Sequence, residues 1–182
     1  MNERRRLLST MAERDAQGRY GVSLKLIAHA LAAARDDREL LAAKASTLFH
    51  SRRCWEARAV GLKAEALGLK SLDLDLLLGW CCFGVGKLDE AEAWMRRAVD
   101  TAPDASQSHF NLAVVLQGQE RHEAAAASFE RGLALAGSDF DTHIGLGRTR
   151  LALGDLGIRH RPLGQGIGDA AALYVERRRI GM

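Results

Sequence analysis

Small side chains recur along this chain at one interval of 34 residues. Ala57, Ala91 and Ala125 form one series, with Ser23 one interval earlier; Ala30, Ala64, Ala98 and Gly132 form a second; Ala45, Gly79, Ala113 and Gly147 form a third. Three series with one period and one phase mean that the same close helix-to-helix approach is built again and again. The units start at Arg4, Arg38, Leu72, Ser106 and Phe140. Within each, apolar residues fall at helical spacing in two blocks separated by a turn signal, as where Gly86 stops one helix and Asp89 opens the next. Each unit is therefore expected to be a helical hairpin. The spacing predicts first helices at about 4–16, 38–50, 72–84, 105–118 and 139–153, and second helices at about 21–34, 53–67, 88–101 and 121–136. The fold class is all-α, a solenoid of stacked hairpins.

Composition agrees with this and narrows the function. The 182 residues are 47% hydrophobic but only 5% aromatic, and two prolines are few enough for long helices. A net charge of +3 is too small to argue for nucleic acid. The uncharged apolar stretch Leu76 to Gly86 is well short of the roughly 18 apolar residues of a membrane span. Cys54, Cys81 and Cys82 have neither the number of a disulfide scaffold nor the spacing of a zinc site, which fits a reducing compartment. Arg4, Arg5, Arg6, Leu7 and Leu8 lead into Ser, Thr, Glu and Arg rather than an apolar run, so no export signal is expected and a cytoplasmic location is.

The third unit carries Leu78-Gly79, Cys82, Ala91, Met95, Ala98 and a closing Pro103. The fourth carries Leu112-Ala113, Leu116, Ala125 and Phe129, with Gly137 in place of the proline, and the fifth Leu146-Gly147. In these residues the chain resembles the tetratricopeptide repeat family, whose signature is a Leu-Gly pair, an aromatic, Ala, an aromatic and Pro. The resemblance covers residues 4–155, with the fifth unit incomplete. It implies a right-handed α-α superhelix whose first helices line a concave face, and a scaffold for protein partners rather than an activity.

No catalytic constellation emerges, and no cofactor is expected. His109 and His143 stand 34 residues apart, but no carboxylate or thiol near them in sequence completes a metal site, so packing is the simpler reading. Cys81 and Cys82 read as small core hydrophobes. Gly164, Gly166 and Gly168 lack the preceding strand and following lysine of a phosphate loop, and Arg177, Arg178 and Arg179 read as a solvated helix end.

One helix has a second apolar stripe. Leu78, Gly79 and Cys82 already supply the third unit's packing face, yet Leu76, Leu77, Trp80 and Phe83 are apolar too. Leu76, Trp80 and Phe83 follow i, i+4, i+7 spacing. On the family pattern they face the groove, continued by Phe110, Asn111, Val114 and Gln117 in the next unit and by Phe49 in the previous one. The expected partner is a peptide or amphipathic helix with apolar anchors. The competing reading buries this helix on all sides. The family's two polar grooves fit poorly: the carboxylate grip would find only Asn111, among Leu76, Trp80, Asp141 and Gly145, and the asparagine ladder only Asn111, among Ala43, Leu77 and Gly145. Two alternatives to a free-standing scaffold are the substrate-recruiting part of a bacterial glycosyl- or sulfotransferase system and a secretion chaperone.

The pattern fails after Asp155. Arg159 stands at the expected Ala place, Pro162 falls inside the expected helix, and five of the 18 glycines lie in the last 26 residues. Residues 156–182 read either as the product of a changed reading frame or as a specialised basic, Gly-rich tail, with Asp169 capping a short helix at 170–179. Ile144, Leu146 and Leu151 are expected to leave the end of the stack apolar, covered either by Leu163, Ile167, Leu173, Val175 and Ile180 of this tail or by self-association.

Overall fold

A computed structural model describes residues 3–136 and 139–154. Among these, nine α-helices form and no strand: α1 (Glu3–Ala16), α2 (Tyr20–Ala33), α3 (Arg38–His50), α4 (Cys54–Ala66), α5 (Leu72–Gly84), α6 (Leu88–Thr101), α7 (Ser106–Gly118), α8 (His122–Ala136) and α9 (Phe140–Ala152). Helices α1 to α8 pair as four hairpins, and α9 stands in the register of a first helix beyond them. The tail, its short helix, the glycine segment and the arginine run lie outside the described residues.

Each hairpin turns on the same backbone device. Gly18, Arg52, Gly86, Glu120 and Gly154, each 34 residues from the next, take φ of +70°, +65°, +78°, +60° and +65°. One left-handed residue reverses the chain, and the amide after it reaches back five residues: Arg19 N–H donates to Arg14 O at 2.8 Å, Arg53 to Leu48 at 2.9 Å, Lys87 to Cys82 at 2.9 Å and Arg121 to Leu116 at 3.0 Å. Asp37, Ser71 and Asp139 occupy one place in the repeat and cap α3, α5 and α9, their side chains accepting from amides of the first turn. Ala105 stands at that place before α7 and caps nothing.

Apart from Gly147, which is exposed, the small-residue series of α3 to α9 lie where the helices come closest. Ala45, Ala57, Ala64, Ala91, Ala98, Ala113 and Ala125 are all fully buried. A Cβ on Gly79 would come within 2.7 Å of Met95 Cε, and one on Gly145 within 2.5 Å of Phe129 Cζ, so the large side chains fill the space that the small ones leave. First helices also touch the first helix of the next unit, α1 with α3, α3 with α5, α5 with α7 and α7 with α9, whereas among the described residues no two second helices approach in this way. The stack therefore curves with its first helices on the inner side.

At its end the structure corrects one expectation. Leu146 is only 8% exposed, packed with Phe129 and Leu112 in the largest core cluster, while Phe140 joins Ile144 and Leu151 on the outside at 76%, 45% and 63%. The reason is angular: Leu146 shares a face with buried Thr142 and Thr149, and the other three lie opposite.

Candidate interaction groove

The second stripe of α5 sits between two environments. Leu74, Leu78, Gly79, Cys81 and Cys82 are buried, whereas Leu76, Leu77, Trp80 and Phe83 are half-buried. Leu76, Trp80 and Phe83 pack against the cluster that contains Met95, Leu112 and Phe129, as do Phe110 and Val114 of α7. The rings of Trp80 and Phe83 meet edge to face with centroids 5.6 Å apart, and Phe83 lies over Gly118, where a Cβ would approach it to 2.7 Å. Phe110 meets Phe129 at 5.8 Å. Phe49 and Leu77 belong instead to the cluster around Leu48, Ala57 and Cys81. Asn111 is 2% exposed, and its Oδ1 accepts from Gln107 Nε2 at 2.9 Å.

Between α3 and α5 the inner surface opens into a depression of about 300 Å³. Ala42, Ala43, Leu74 and Leu77 line it with apolar surface; Ser46, Ser71, Glu39 and Asp73 supply its polar atoms. The alanines create the space, because the corresponding places on α5 hold Leu76 and Leu77. Glu39 is engaged by Arg4 at 2.9 Å, and Asp73 is exposed. Sequence reading found Leu77 but not the depression, since alanine there looks the same as alanine at a helix crossing.

It also missed the polar ties between units. Asp75 is buried where the family has a bulky apolar residue, and its Oδ1 accepts from Arg97 Nε at 2.9 Å. The same guanidinium holds Glu65 of the previous unit at 3.0 Å and lies 4.2 Å above the Trp94 ring. Arg58 of α4 pairs with Glu90 of α6, which Lys87 also holds at 2.6 Å. Hydrogen bonds from Lys87 and Arg58 hold the Glu90 carboxyl down to about 2. The available signal was an acidic residue at an apolar place, with an arginine 22 positions on.

Cys81 and Cys82 are buried in the core, whereas His109 is half-buried and His143 exposed. The His109 ring donates through Nε2 to Pro103 O at 2.8 Å, and the His143 ring through Nδ1 to Asp139 O at 2.8 Å, each to the backbone just before its own helix. No group of three or more metal-ligating side chains forms among the described residues. Burial pushes the Cys81 thiol up to about 12 and raises Cys82 as well, the opposite of what a reactive cysteine needs. No described helix is long and apolar enough to cross a membrane.

The sequence profile of the family described as Tetratricopeptide repeat matches residues 76–104 and 106–139. Among solved structures, MamA 41-end from Desulfovibrio magneticus RS-1 superposes with a TM-score of 0.77 at 17% identity, over 85% of this chain and 88% of that one. The chain has the tetratricopeptide repeat fold. A second MamA structure gives a TM-score of 0.74 at 16% identity, over 81% of each chain. YrrB, described as a TPR protein with an unusual peptide-binding site, gives 0.72 at 15%, over 82% of this chain and 77% of that one. These likenesses concern the tetratricopeptide fold. No curated protein sequence matches the chain significantly.

Proposed function

We propose that this tetratricopeptide array is a non-catalytic scaffold whose concave face holds an extended peptide or one side of an amphipathic helix through apolar anchors. The observation that carries the reading is the state of α5: its packing face is complete in Leu78, Gly79 and Cys82, yet Leu76, Leu77, Trp80 and Phe83 form a second apolar stripe that the fold covers only in part. Phe110 and Val114 extend the stripe along α7, and Phe49 extends it toward α3. Asn111 stands behind this surface and stiffens it through Gln107. The depression beside Leu77 offers room for side chains of the ligand, and Asp73 at its edge favours a basic neighbour there.

Panning a displayed random-peptide library against the protein, with counter-selection on Trp80→Ala, tests this. Recovered peptides should carry two apolar anchors and lose at least about tenfold in affinity against the variant. Sequences without apolar anchors, or equal binding to both proteins, would sink the proposal.

A further inference from the structure

The outer face of α9 has the pattern of a helix that pairs with a copy of itself. Phe140, Ile144, Gly147 and Leu151 are spaced by four, three and four residues, which places them within one narrow stripe, opposite the buried face of Thr142, Leu146 and Thr149. All four are exposed, and among the described residues nothing lies within 4 Å of a Cβ built on Gly147. At the equivalent place in the third unit, Gly79 faces Met95 of its own second helix. The α9 face is thus a helix-packing surface with its small residue already in position.

We propose that this face binds a second copy of the chain, α9 against α9 in antiparallel orientation about a two-fold axis. The stripe is self-complementary only in that direction. With the helices reversed, Ile144 of one copy falls opposite Gly147 of the other and Phe140 opposite Leu151, so that each layer sets a larger side chain against a smaller one. A parallel arrangement would place glycine against glycine and phenylalanine against phenylalanine. Charge selects the same direction. Asp141 and Arg148 lie on one flank of the stripe, both exposed, and antiparallel packing brings like flanks together, pairing Asp141 of each copy with Arg148 of the other. No ion pair within the described residues engages either of them. Two apolar layers, each occurring twice, make a small interface, so association belongs in the micromolar range.

Sedimentation equilibrium of the full chain from about 5 to about 500 µM is the first test, a range that brackets such an affinity. A monomer–dimer equilibrium is expected, weakened at least about tenfold by Ile144→Asp, since a carboxylate would be buried opposite glycine. Asp141→Arg and Arg148→Asp should each weaken it, and the double reversal should restore it. Because these residues are exposed, every variant should keep the wild-type circular dichroism and melting point. Direction is read by cross-linking: equimolar Ile144→Cys and Gly147→Cys proteins in a glutathione buffer should form a mixed disulfide at least about tenfold faster than either forms with itself. A protein monomeric throughout, with this face covered by its own residues 155–182 or left bare, would overturn the proposal. So would a dimer indifferent to Ile144→Asp, or faster homodisulfides.

Discussion

Arg97 does more than any other single side chain to join successive units. It touches Asp75 of its own hairpin, Glu65 of the hairpin before and the face of Trp94. Removing it strands the buried Asp75 carboxylate, so Arg97→Ala should cost about 3 kcal/mol in urea denaturation. The double change Asp75→Leu with Arg97→Met, which returns the first position to the family's apolar character, should recover most of that loss; a double variant no better than the single one would refute this account. Trp80 shows the contrasting case. Being half-buried, it should lose about 2 kcal/mol on change to Ala, below the ~3–5 kcal/mol of a fully buried aromatic, while peptide binding falls sharply. Chemical denaturation and titration of one selected peptide, run on the same preparation, distinguish a core residue from a binding one.

The hairpin turn gives a test at the scale of the element. Arg52 and Glu120 hold the left-handed conformation that Gly18, Gly86 and Gly154 hold at the equivalent places, and a side chain there is strained by its Cβ. Arg52→Gly and Glu120→Gly should each raise stability by about 0.5–1 kcal/mol despite the greater freedom of glycine in the unfolded chain, and Gly86→Ala should lower it by about 1 kcal/mol. Thermal melts of the three variants check the pair of signs. The helices themselves were legible because periodicity is a property of the backbone: the 34-residue phase of Ala57, Ala91 and Ala125 locates every hairpin in the described residues. What could not be read concerns pairs of side chains distant in sequence. Nothing local distinguishes Ala42, which opens a depression, from Ala45, which sits at a crossing; and Asp75 looks like a surface residue until Arg97 is placed beside it. Asn111, read as groove-facing, turns out to spend its carbonyl oxygen on Gln107, a partner one helical turn away. The face of α9 was legible in part, for Ile144 and Leu151 are exposed as their spacing suggests, but Leu146 turns inward because Phe129 of α8 offers it a partner.

Across the whole molecule, charge ties consecutive second helices that otherwise do not approach one another. Glu90 is the clearest, held between Lys87 and Arg58 with its carboxyl lowered from 4.5 to about 2. A lowered carboxyl contributes stability that is present above its unfolded value and is lost as pH falls toward its folded one, so this tie should weaken between about pH 4.5 and about pH 2. Acid titration followed by circular dichroism should show Glu90→Gln with a shallower loss of stability across that window; an unchanged profile would show that Glu90 contributes nothing to it. Because each hairpin contacts only its neighbours, amide exchange should be slowest in α3 to α8, which have a unit on both sides, and fastest in α1 and α9. Uniform exchange rates would argue for a single cooperative block. The touching first helices and separated second helices also make the stack a spring with one stiff edge. The inner edge keeps nearly constant length while the outer edge can fan or close through rotations about the small-residue crossings, so pitch changes without a cavity opening in any core. A tethered molecule stretched end to end should therefore first lengthen smoothly, as its coil unwinds, before any helix pair separates.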